Sequence, residues 1–93
     1  MSRVSRTLTI VNQKGLHARA SAKFVTFVSR LPEGLKVEVE KDGQSVAGTS
    51  IMGLMMLGAA MGDQIVISAQ GDGAEAAVTS LAELVEAKFH EAE

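Results

Sequence analysis

The sequence contains no cysteine, tryptophan or tyrosine, and it has a single proline among its 93 residues. Without cysteine the fold cannot use a disulfide, a thiolate metal site or a cysteine nucleophile. Without tryptophan and tyrosine, aromatic cages and base-stacking platforms are not expected. The formal net charge of −2 argues against nucleic acid as the main partner.

Long apolar runs are also missing. No stretch approaches the roughly 20 apolar residues that span a bilayer, and the segment Met1–Arg6 lacks the apolar core of a signal peptide. We therefore expect a cytoplasmic protein that does not insert into a membrane. The length, together with a hydrophobic content of 46%, fits one ordinary globular domain over residues 1–93.

Four strands are expected from the alternation of apolar and polar side chains. They cover Val4–Val11, Leu35–Glu40, about Gln44–Gly48, and Gln64–Ala69. The dipeptide Asp42-Gly43 separates the second strand from the third and is a strong signal for a two-residue hairpin. That part of the sheet is therefore expected to be antiparallel.

Three helices are expected from apolar residues that recur every three or four positions. They extend from the Gly15 loop to about Leu31, from Ile51 to Leu57, and from about Ala74 to Val85. The resulting order, β-α-β-β-α-β-α, with one apolar face per strand, predicts a two-layer α+β domain.

Three further predictions concern the last helix and the residues that follow it. Asp72 is expected to cap the last helix, and Phe89 to lie near its fraying end. His90 and the terminal acids Glu91 and Glu93 are expected to be solvated. No further residues at metal-ligand spacing accompany His90, so no metal site is expected there.

The stretch Gly15-Leu16-His17-Ala18-Arg19 is the main candidate for chemistry. His17 follows a glycine turn and stands at a helix start, where several backbone N–H groups have no partner within the helix. Such an end attracts phosphate, and the planar cationic fork of Arg19 suits phosphate oxygens. No carboxylate stands nearby in the sequence, but a neutral imidazole can attack phosphorus without a base. The pattern indicates a nucleophilic nitrogen beside a phosphate-binding group, although a lone histidine is more often structural.

The second predicted helix has almost no polar side. Leu54 and Leu57 can face the core, and a short helix cannot bury every other side chain on one sheet. Some of the side chains of Ile51, Met52, Met55 and Met56 are therefore expected to lie outside. Exposed, flexible methionines suit docking to several partners, and burial in the core is the alternative interpretation.

Ser50 precedes this helix and is expected to cap it. A regulatory phosphate on Ser50 would be stabilised by the helix dipole, yet it would place a dianion beside the apolar side chains. The two roles, cap and switch, are compatible.

Two blocks carry a resemblance to a known family: Gly15–Arg19, and Thr49–Met55 followed by Leu57-Gly58. With the length and the element order, they make the chain similar to the HPr family. Its members are the histidine-containing phosphocarriers of the bacterial phosphoenolpyruvate-dependent phosphotransferase system. The resemblance implies an open-faced β-sandwich, in which a four-stranded antiparallel sheet carries three helices on one face.

The resemblance also implies roles for individual residues. His17 would accept a phosphoryl group on Nδ1 from phosphorylated enzyme I and pass it to an enzyme II A component, for sugar uptake, regulation or both. Arg19 would steady the phosphate. Ser50 matches the serine that HPr kinase/phosphorylase modifies in some members. Docking would involve Ala18, Ile51, Met52 and Met55. The implied protein is a monomeric carrier without metal or cofactor, rather than a stand-alone catalyst.

Two positions depart from the family pattern. Ala20 stands where proline is common, which removes rigidity from the first helical turn but no reactive group. Thr49 stands where many members have lysine, which puts kinase recognition of Ser50 in doubt.

Three alternatives remain open from the sequence. One is the nitrogen-related branch of the same phosphotransferase system, whose relay ends in regulation. Another is a non-phosphorylated module that binds partners through the second helix, against which the His17–Arg19 pair argues. The third is a ferredoxin-like ligand-binding domain, whose second helix should be long, whereas Gly53 and Gly58 keep this one short.

Overall fold

The computed structural model describes residues 3–91 of the chain. Along the chain they form β1 (Arg3–Thr9), α1 (Ala18–Ser29), β2 (Lys36–Lys41), β3 (Gln44–Ala47), α2 (Ile51–Met56), β4 (Gln64–Gln70), α3 (Ala74–Glu86) and a 3₁₀ turn (Lys88–His90). Every expected strand and helix is present in the expected order. None of the helices in this part of the chain is long and apolar enough to cross a membrane.

The four strands form one antiparallel sheet in the spatial order β1-β4-β2-β3. The hairpin between β2 and β3 closes where Lys41 pairs with Gln44. Its two central residues, Asp42 and Gly43, have φ angles of 52° and 83°. Two positive φ angles in succession define the turn that matches the twist of a hairpin, so the prediction from Asp-Gly is confirmed.

All three helices cover the same face of the sheet. The largest fully buried side chains come from both layers and include Ile10, Phe24, Leu54, Ile65, Ile67, Leu81 and Phe89. On the opposite face, the Ser5 hydroxyl donates to the Ser68 hydroxyl at 3.2 Å. A sheet with one covered and one polar face is a two-layer α+β domain, as the sequence patterns predicted, and it is the open-faced β-sandwich that the family resemblance implied.

The first strand is shorter than expected, because it ends at Thr9 and not at Val11. Ile10 leaves the sheet and exchanges backbone hydrogen bonds with the turn before β4. Its N–H donates to the Asp63 carbonyl at 2.9 Å, and its carbonyl accepts from Gly62 at 2.8 Å. These bonds satisfy the backbone of Ile10, and the following Val11 lies at the surface.

The prediction that Asp72 caps α3 is wrong. Gly73 occupies the N-cap position with a φ of 84°, and no side chain bonds to the helix start. The carbonyl of Gly73 accepts the Ala77 N–H at 3.0 Å. Asp72 lies one residue too early to cap, because the turn needs a left-handed residue directly before the helix, and glycine adopts that conformation without a steric penalty.

The segment after α3 does not fray as expected. Lys88, Phe89 and His90 all have left-handed φ angles, of 58°, 55° and 57°. This turn buries the Phe89 side chain completely, and the Lys23 ammonium donates to the Phe89 carbonyl at 2.8 Å. The end of the described chain is therefore folded back against α1, while the His90 side chain stays exposed, as expected.

Candidate functional site

The loop before α1 is held in place by Gly15. This residue has a φ of +60°, and a Cβ atom there would lie 2.2 Å from the Ala59 carbonyl oxygen, so only glycine fits. The next residue, Leu16, is buried and donates its backbone N–H to the same oxygen at 2.9 Å. The loop is thereby fixed against the segment after α2, and His17 follows it at a defined position.

His17 is the N-cap residue of α1, which confirms its expected place at a helix start. Its backbone is extended, with φ −76° and ψ −178°, and its carbonyl accepts the Ser21 N–H at 2.9 Å. Its Nδ1 atom accepts a hydrogen bond from the Arg19 backbone N–H at 3.3 Å. The Nδ1 atom therefore faces the positive end of the helix, where N–H groups lack partners within the helix.

The other ring nitrogen of His17 has a partner that comes from the far end of the chain. Nε2 is hydrogen-bonded to Oε2 of Glu91, and Oε1 of Glu91 accepts from Nδ2 of Asn12 at 2.9 Å. The expectation that Glu91 is solvated is therefore wrong, since its side chain is only 11% exposed. The same expectation for Glu93 lies outside the described residues.

The electrostatics of Glu91 follow from these contacts. Burial by itself raises the pKa of the Glu91 carboxyl. Hydrogen bonds from His17 and Asn12, with the charges of His17 and Lys23, outweigh that effect and hold the pKa below its ordinary value. Glu91 is thus a carboxylate that acts as an acceptor towards both neighbours at neutral pH.

Asn12 is fully buried beneath the site. Its Nδ2 atom donates to the Gly15 carbonyl at 2.8 Å as well as to Glu91. Sequence reasoning missed both Asn12 and Glu91, because 79 positions separate them along the chain. The one available signal was Phe89, a large apolar residue beyond the last helical stripe, which needed a place in the core.

Arg19 and Ala18 are exposed beside His17. They share an open depression of about 540 Å³ whose other lining residues are Gln13, Lys14, His17, Lys23, His90 and Glu91. Within residues 3–91 the Arg19 guanidinium has no ion-pair partner. The cationic side chains of Lys14, Arg19 and Lys23 suit this depression to an anion.

The structure does not gather metal ligands at this place. Across the described part of the chain, no three histidine, aspartate or glutamate side chains lie close enough together to hold a metal ion.

The outer side of α2 is an apolar surface, which we call the methionine patch. It consists of Ile51, Met52, Met55 and Met56, with exposed fractions of 39%, 69%, 41% and 68%. Leu54 and Leu57, by contrast, are buried as expected. The structure thus decides between the two interpretations of this helix, because the methionine patch lies outside the core.

Ser50 caps α2 as expected. Its Oγ atom accepts the Gly53 N–H at 2.9 Å, and its carbonyl accepts the Leu54 N–H at 3.0 Å. The side chain is half-buried beside Ile51 and the rest of the methionine patch. Ser50 and His17 therefore start neighbouring helices, since α1 packs against α2.

Comparison with known proteins agrees with this geometry. The family described as "PTS HPr component phosphorylation site" matches residues 4–87. The phosphocarrier protein HPr of Pseudomonas aeruginosa is 41% identical over 87 residues, which cover 92% of this chain and 94% of that protein. The phosphocarrier protein NPr of Shewanella violacea is 35% identical over 92 residues, which cover 99% of each.

Solved structures show the same fold. The HPr-C-His structure from Thermoanaerobacter tengcongensis superposes with a TM-score of 0.86 at 42% identity and covers all of both chains. The HPr structure from Bacillus anthracis superposes with a TM-score of 0.84 at 35% identity, covering 91% of this chain and 99% of that one.

Proposed function

The chain belongs to the HPr family of phosphocarrier proteins, whose partners in the phosphotransferase system include enzyme I and enzyme II A components, and from this premise we propose that His17 carries the phosphoryl group. In the proposed reaction His17 takes the group from phosphorylated enzyme I and passes it to an enzyme II A component. The observation that carries the proposal is the position of His17 Nδ1 at the start of α1, where it faces the backbone N–H of Arg19 in the first helical turn.

The transfer step needs only a nucleophilic nitrogen and a place for the phosphoryl oxygens. The lone pair of Nδ1 forms the new bond to phosphorus, and the bond from phosphorus to the donor atom of enzyme I breaks, with its electron pair staying on that donor atom. The phosphoryl oxygens then lie near the N–H groups of the first turn of α1, which favour negative charge. Transfer to the enzyme II A component is the same step in reverse, with a new acceptor.

Arg19 has the chemistry to steady the group. Its guanidinium is exposed at the same depression, and a planar fork of N–H donors matches phosphate oxygens. Lys14 and Lys23 add positive charge at the rim. We expect them to raise the rate of encounter with a phosphorylated partner more than the rate of the chemical step.

The methionine patch, together with Ala18, is proposed as the surface on which partners dock. A carrier must fit a donor and an acceptor in turn, and flexible thioether side chains adapt to different surfaces. The patch is exposed on the helix that packs beside α1, so a partner seated there is adjacent to the start of α1. We propose further that the carrier works as a monomer in the cytoplasm.

Ser50 is proposed as a regulatory site for HPr kinase/phosphorylase. A phosphate on Oγ keeps an acceptor at the helix start, where Oγ now accepts from Gly53, and it adds charge beside the methionine patch. Docking through apolar contacts would be weakened, because the dianion would have to lose water on binding. Thr49, in place of the usual lysine, is the feature that a kinase would have to tolerate.

The decisive experiment measures the mass of the protein after incubation with enzyme I and phosphoenolpyruvate. We expect a gain of one phosphoryl group that is lost after brief treatment with acid, because phosphohistidine is acid-labile. A His17→Ala variant should gain none. If this variant took up phosphate to the same extent as the unmodified chain, His17 would not be the carrier residue. A phosphate that survived acid would instead indicate a modified serine such as Ser50.

The nitrogen-related branch is a second candidate, and the similarity to NPr over 99% of both chains supports it. The two branches use the same chemistry at His17 and differ in their partners. Parallel rate measurements with the enzyme I of each branch distinguish them. The branch whose enzyme I phosphorylates the chain faster is the one in which it works.

A further inference from the structure

Four polar groups form a continuous hydrogen-bonded series behind His17. The series begins at the Gly15 carbonyl and continues through the amide of Asn12 and the carboxylate of Glu91 to Nε2 of the imidazole. Asn12 is fully buried, and the His17 and Glu91 side chains are 25% and 11% exposed. Water is therefore excluded from Asn12, while the partly buried His17 and Glu91 side chains border the open depression, and the three side chains satisfy one another through these hydrogen bonds.

The direction of every bond in the series is determined by its first member. A backbone carbonyl can only accept, so Asn12 must present its Nδ2 group to Gly15 at 2.8 Å. The same Nδ2 group donates to Oε1 of Glu91 at 2.9 Å. The reverse orientation of the Asn12 amide would place its Oδ1 atom against two acceptors, the Gly15 carbonyl and Glu91. In the observed orientation, Oδ1 is the one atom of the Asn12 amide without a hydrogen-bond partner among residues 3–91.

The carboxylate of Glu91 in turn determines which nitrogen of the imidazole carries the proton. An ionised carboxylate accepts and cannot donate, so the group facing Oε2 of Glu91 must be a donor. In a neutral imidazole one nitrogen donates and the other accepts. If Nε2 of His17 carries the proton, Nδ1 carries the lone pair.

An independent contact on the opposite side of the ring requires the same assignment. The Arg19 backbone N–H can only donate, and it faces Nδ1 at 3.3 Å. A proton on Nδ1 would point at this N–H group and would leave Nε2 as an acceptor facing the acceptor Glu91. Both neighbours of the ring therefore disfavour the tautomer that is protonated on Nδ1.

We propose that Asn12 and Glu91 are positioning residues that hold His17 in the tautomer protonated on Nε2, so that Nδ1 is the nucleophile. This inference rests on the proposed function, in which His17 receives the phosphoryl group. When Nδ1 bonds to phosphorus and the donor atom of enzyme I leaves with its electron pair, the proton stays on Nε2. The ring then carries a positive charge, which the Glu91 carboxylate offsets.

The backbone just before Glu91 adopts an unfavourable conformation that brings Glu91 to His17. Three successive residues, Lys88, Phe89 and His90, take left-handed φ angles, a sterically costly conformation for residues that carry a Cβ atom. Burial of Phe89 and the bond from Lys23 to its carbonyl help to offset that cost. The result of the turn is that Glu91 reaches Nε2.

The test begins with the ring nitrogens themselves. The full-length chain is labelled with ¹⁵N in histidine, and spectra are recorded well above the ordinary histidine pKa of about 6.5, where imidazole is neutral. The His17 signals are identified by their absence from a His17→Ser variant. We expect ¹⁵N shifts typical of protonated Nε2 and unprotonated Nδ1 in the unmodified chain.

The variant Glu91→Gln separates a tautomer effect from a loss of packing. Glutamine has nearly the same shape, but it has one accepting and one donating end. Because Asn12 requires the accepting end, the amide NH₂ is left facing Nε2 and favours the proton on Nδ1. We expect the ring ¹⁵N shifts to move towards the other tautomer. Phosphorylation by enzyme I should slow about 10- to 100-fold, as when the hydrogen-bond partner of a metal-binding histidine is removed.

Two further variants complete the experiment. Glu91→Ala removes the acceptor without supplying a donor, so its rate should fall less than that of Glu91→Gln. Glu86→Gln makes the same chemical change on an exposed residue at the end of α3 and should leave rate and spectrum unchanged. The inference fails if the ring shifts of Glu91→Gln match those of the unmodified chain, or if Glu91→Ala is slowed as much as Glu91→Gln. If the unmodified chain accepts no phosphate from enzyme I, the proposed function fails instead, and the spectra still decide the tautomer.

Discussion

The helices α1 and α2 both begin with a side chain that accepts a backbone N–H, but the accepting atoms differ. At α2 the hydroxyl of Ser50 accepts from Gly53 at 2.9 Å, and at α1 the imidazole of His17 accepts from Arg19 at 3.3 Å. Serine is among the best N-cap residues, whereas histidine is not one of them. Helix α1 therefore begins with a weaker cap, and the accepting atom of that cap is the nitrogen proposed to be the nucleophile.

The surroundings of the two helix starts differ in charge. The start of α1 opens into a depression bordered by Lys14, Arg19 and Lys23, with Glu91 behind the histidine. The start of α2 leads directly into the apolar methionine patch. One site is therefore suited to the phosphoryl group and the other to the proteins that deliver and remove it.

The largest effect is expected when the cap of α2 is copied onto α1. A His17→Ser variant has a better cap residue but no imidazole, so phosphate uptake from enzyme I should fall to background while the chain stays folded. Mass measurement gives the uptake, and circular dichroism confirms the fold. Ser50→Ala is the reciprocal control and should still be phosphorylated. Acid-labile phosphate on His17→Ser would contradict the assignment of His17.

A large loss of stability is expected from Gly15→Ala, in the loop that holds the start of α1. Alanine at a left-handed φ costs about 1–2 kcal/mol. Gly58, just after α2, provides a matched control because its φ is +63° and nothing lies within 4 Å of an added Cβ. At Gly15 the Cβ would meet the Ala59 oxygen at 2.2 Å, so the cost should be greater by about 1–3 kcal/mol. Urea unfolding measures the free energy of unfolding of Gly15→Ala and Gly58→Ala. Equal losses in the two variants would show that the Gly15 loop moves to accommodate the Cβ atom without further cost.

A smaller effect on stability is expected at the start of α2. Ser50→Ala should lower the free energy of unfolding by about 1 kcal/mol, because the Gly53 N–H loses its acceptor. Ser50→Asp keeps an acceptor and should restore most of that stability. Its added charge lies beside the methionine patch, so phosphorylation by enzyme I should be slower than in Ser50→Ala. Equal rates for the two variants would mean that charge at this helix start does not affect docking.

The smallest effect is expected from the pH dependence of stability at the start of α1. The pKa of Glu91 is below its ordinary value of 4.5 in the folded chain. Its contribution to stability is therefore present above about pH 4.5 and is lost as the pH falls through the folded pKa. In urea unfolding between pH 7 and pH 3, Glu91→Gln should lose less stability than the unmodified chain. Glu86→Gln is the control and should show the same pH dependence as the unmodified chain. If the unmodified chain and Glu91→Gln had the same pH dependence, the proposed link between the Glu91 pKa and stability would be refuted.

Local patterns were sufficient where a few neighbouring residues determine the geometry. The Asp42-Gly43 hairpin, the cap at Ser50 and the outward position of Met52 all follow from short stretches of sequence. Local patterns failed where a backbone conformation decides the outcome. Asp72 looked like a cap, but the left-handed Gly73 occupies that position.

Local sequence patterns were enough to predict that His17 starts a helix beside Arg19 and that the second helix is short and apolar. The contacts behind the imidazole depend on the folded chain as a whole. Glu91 is 74 positions from His17, and the left-handed turn after α3 and the burial of Phe89 bring them together. The spacing of residues along the sequence does not reveal such contacts, because they depend on the path of the whole folded chain between the two residues. The helix start was therefore predictable, whereas the contact proposed to select its reactive nitrogen was not.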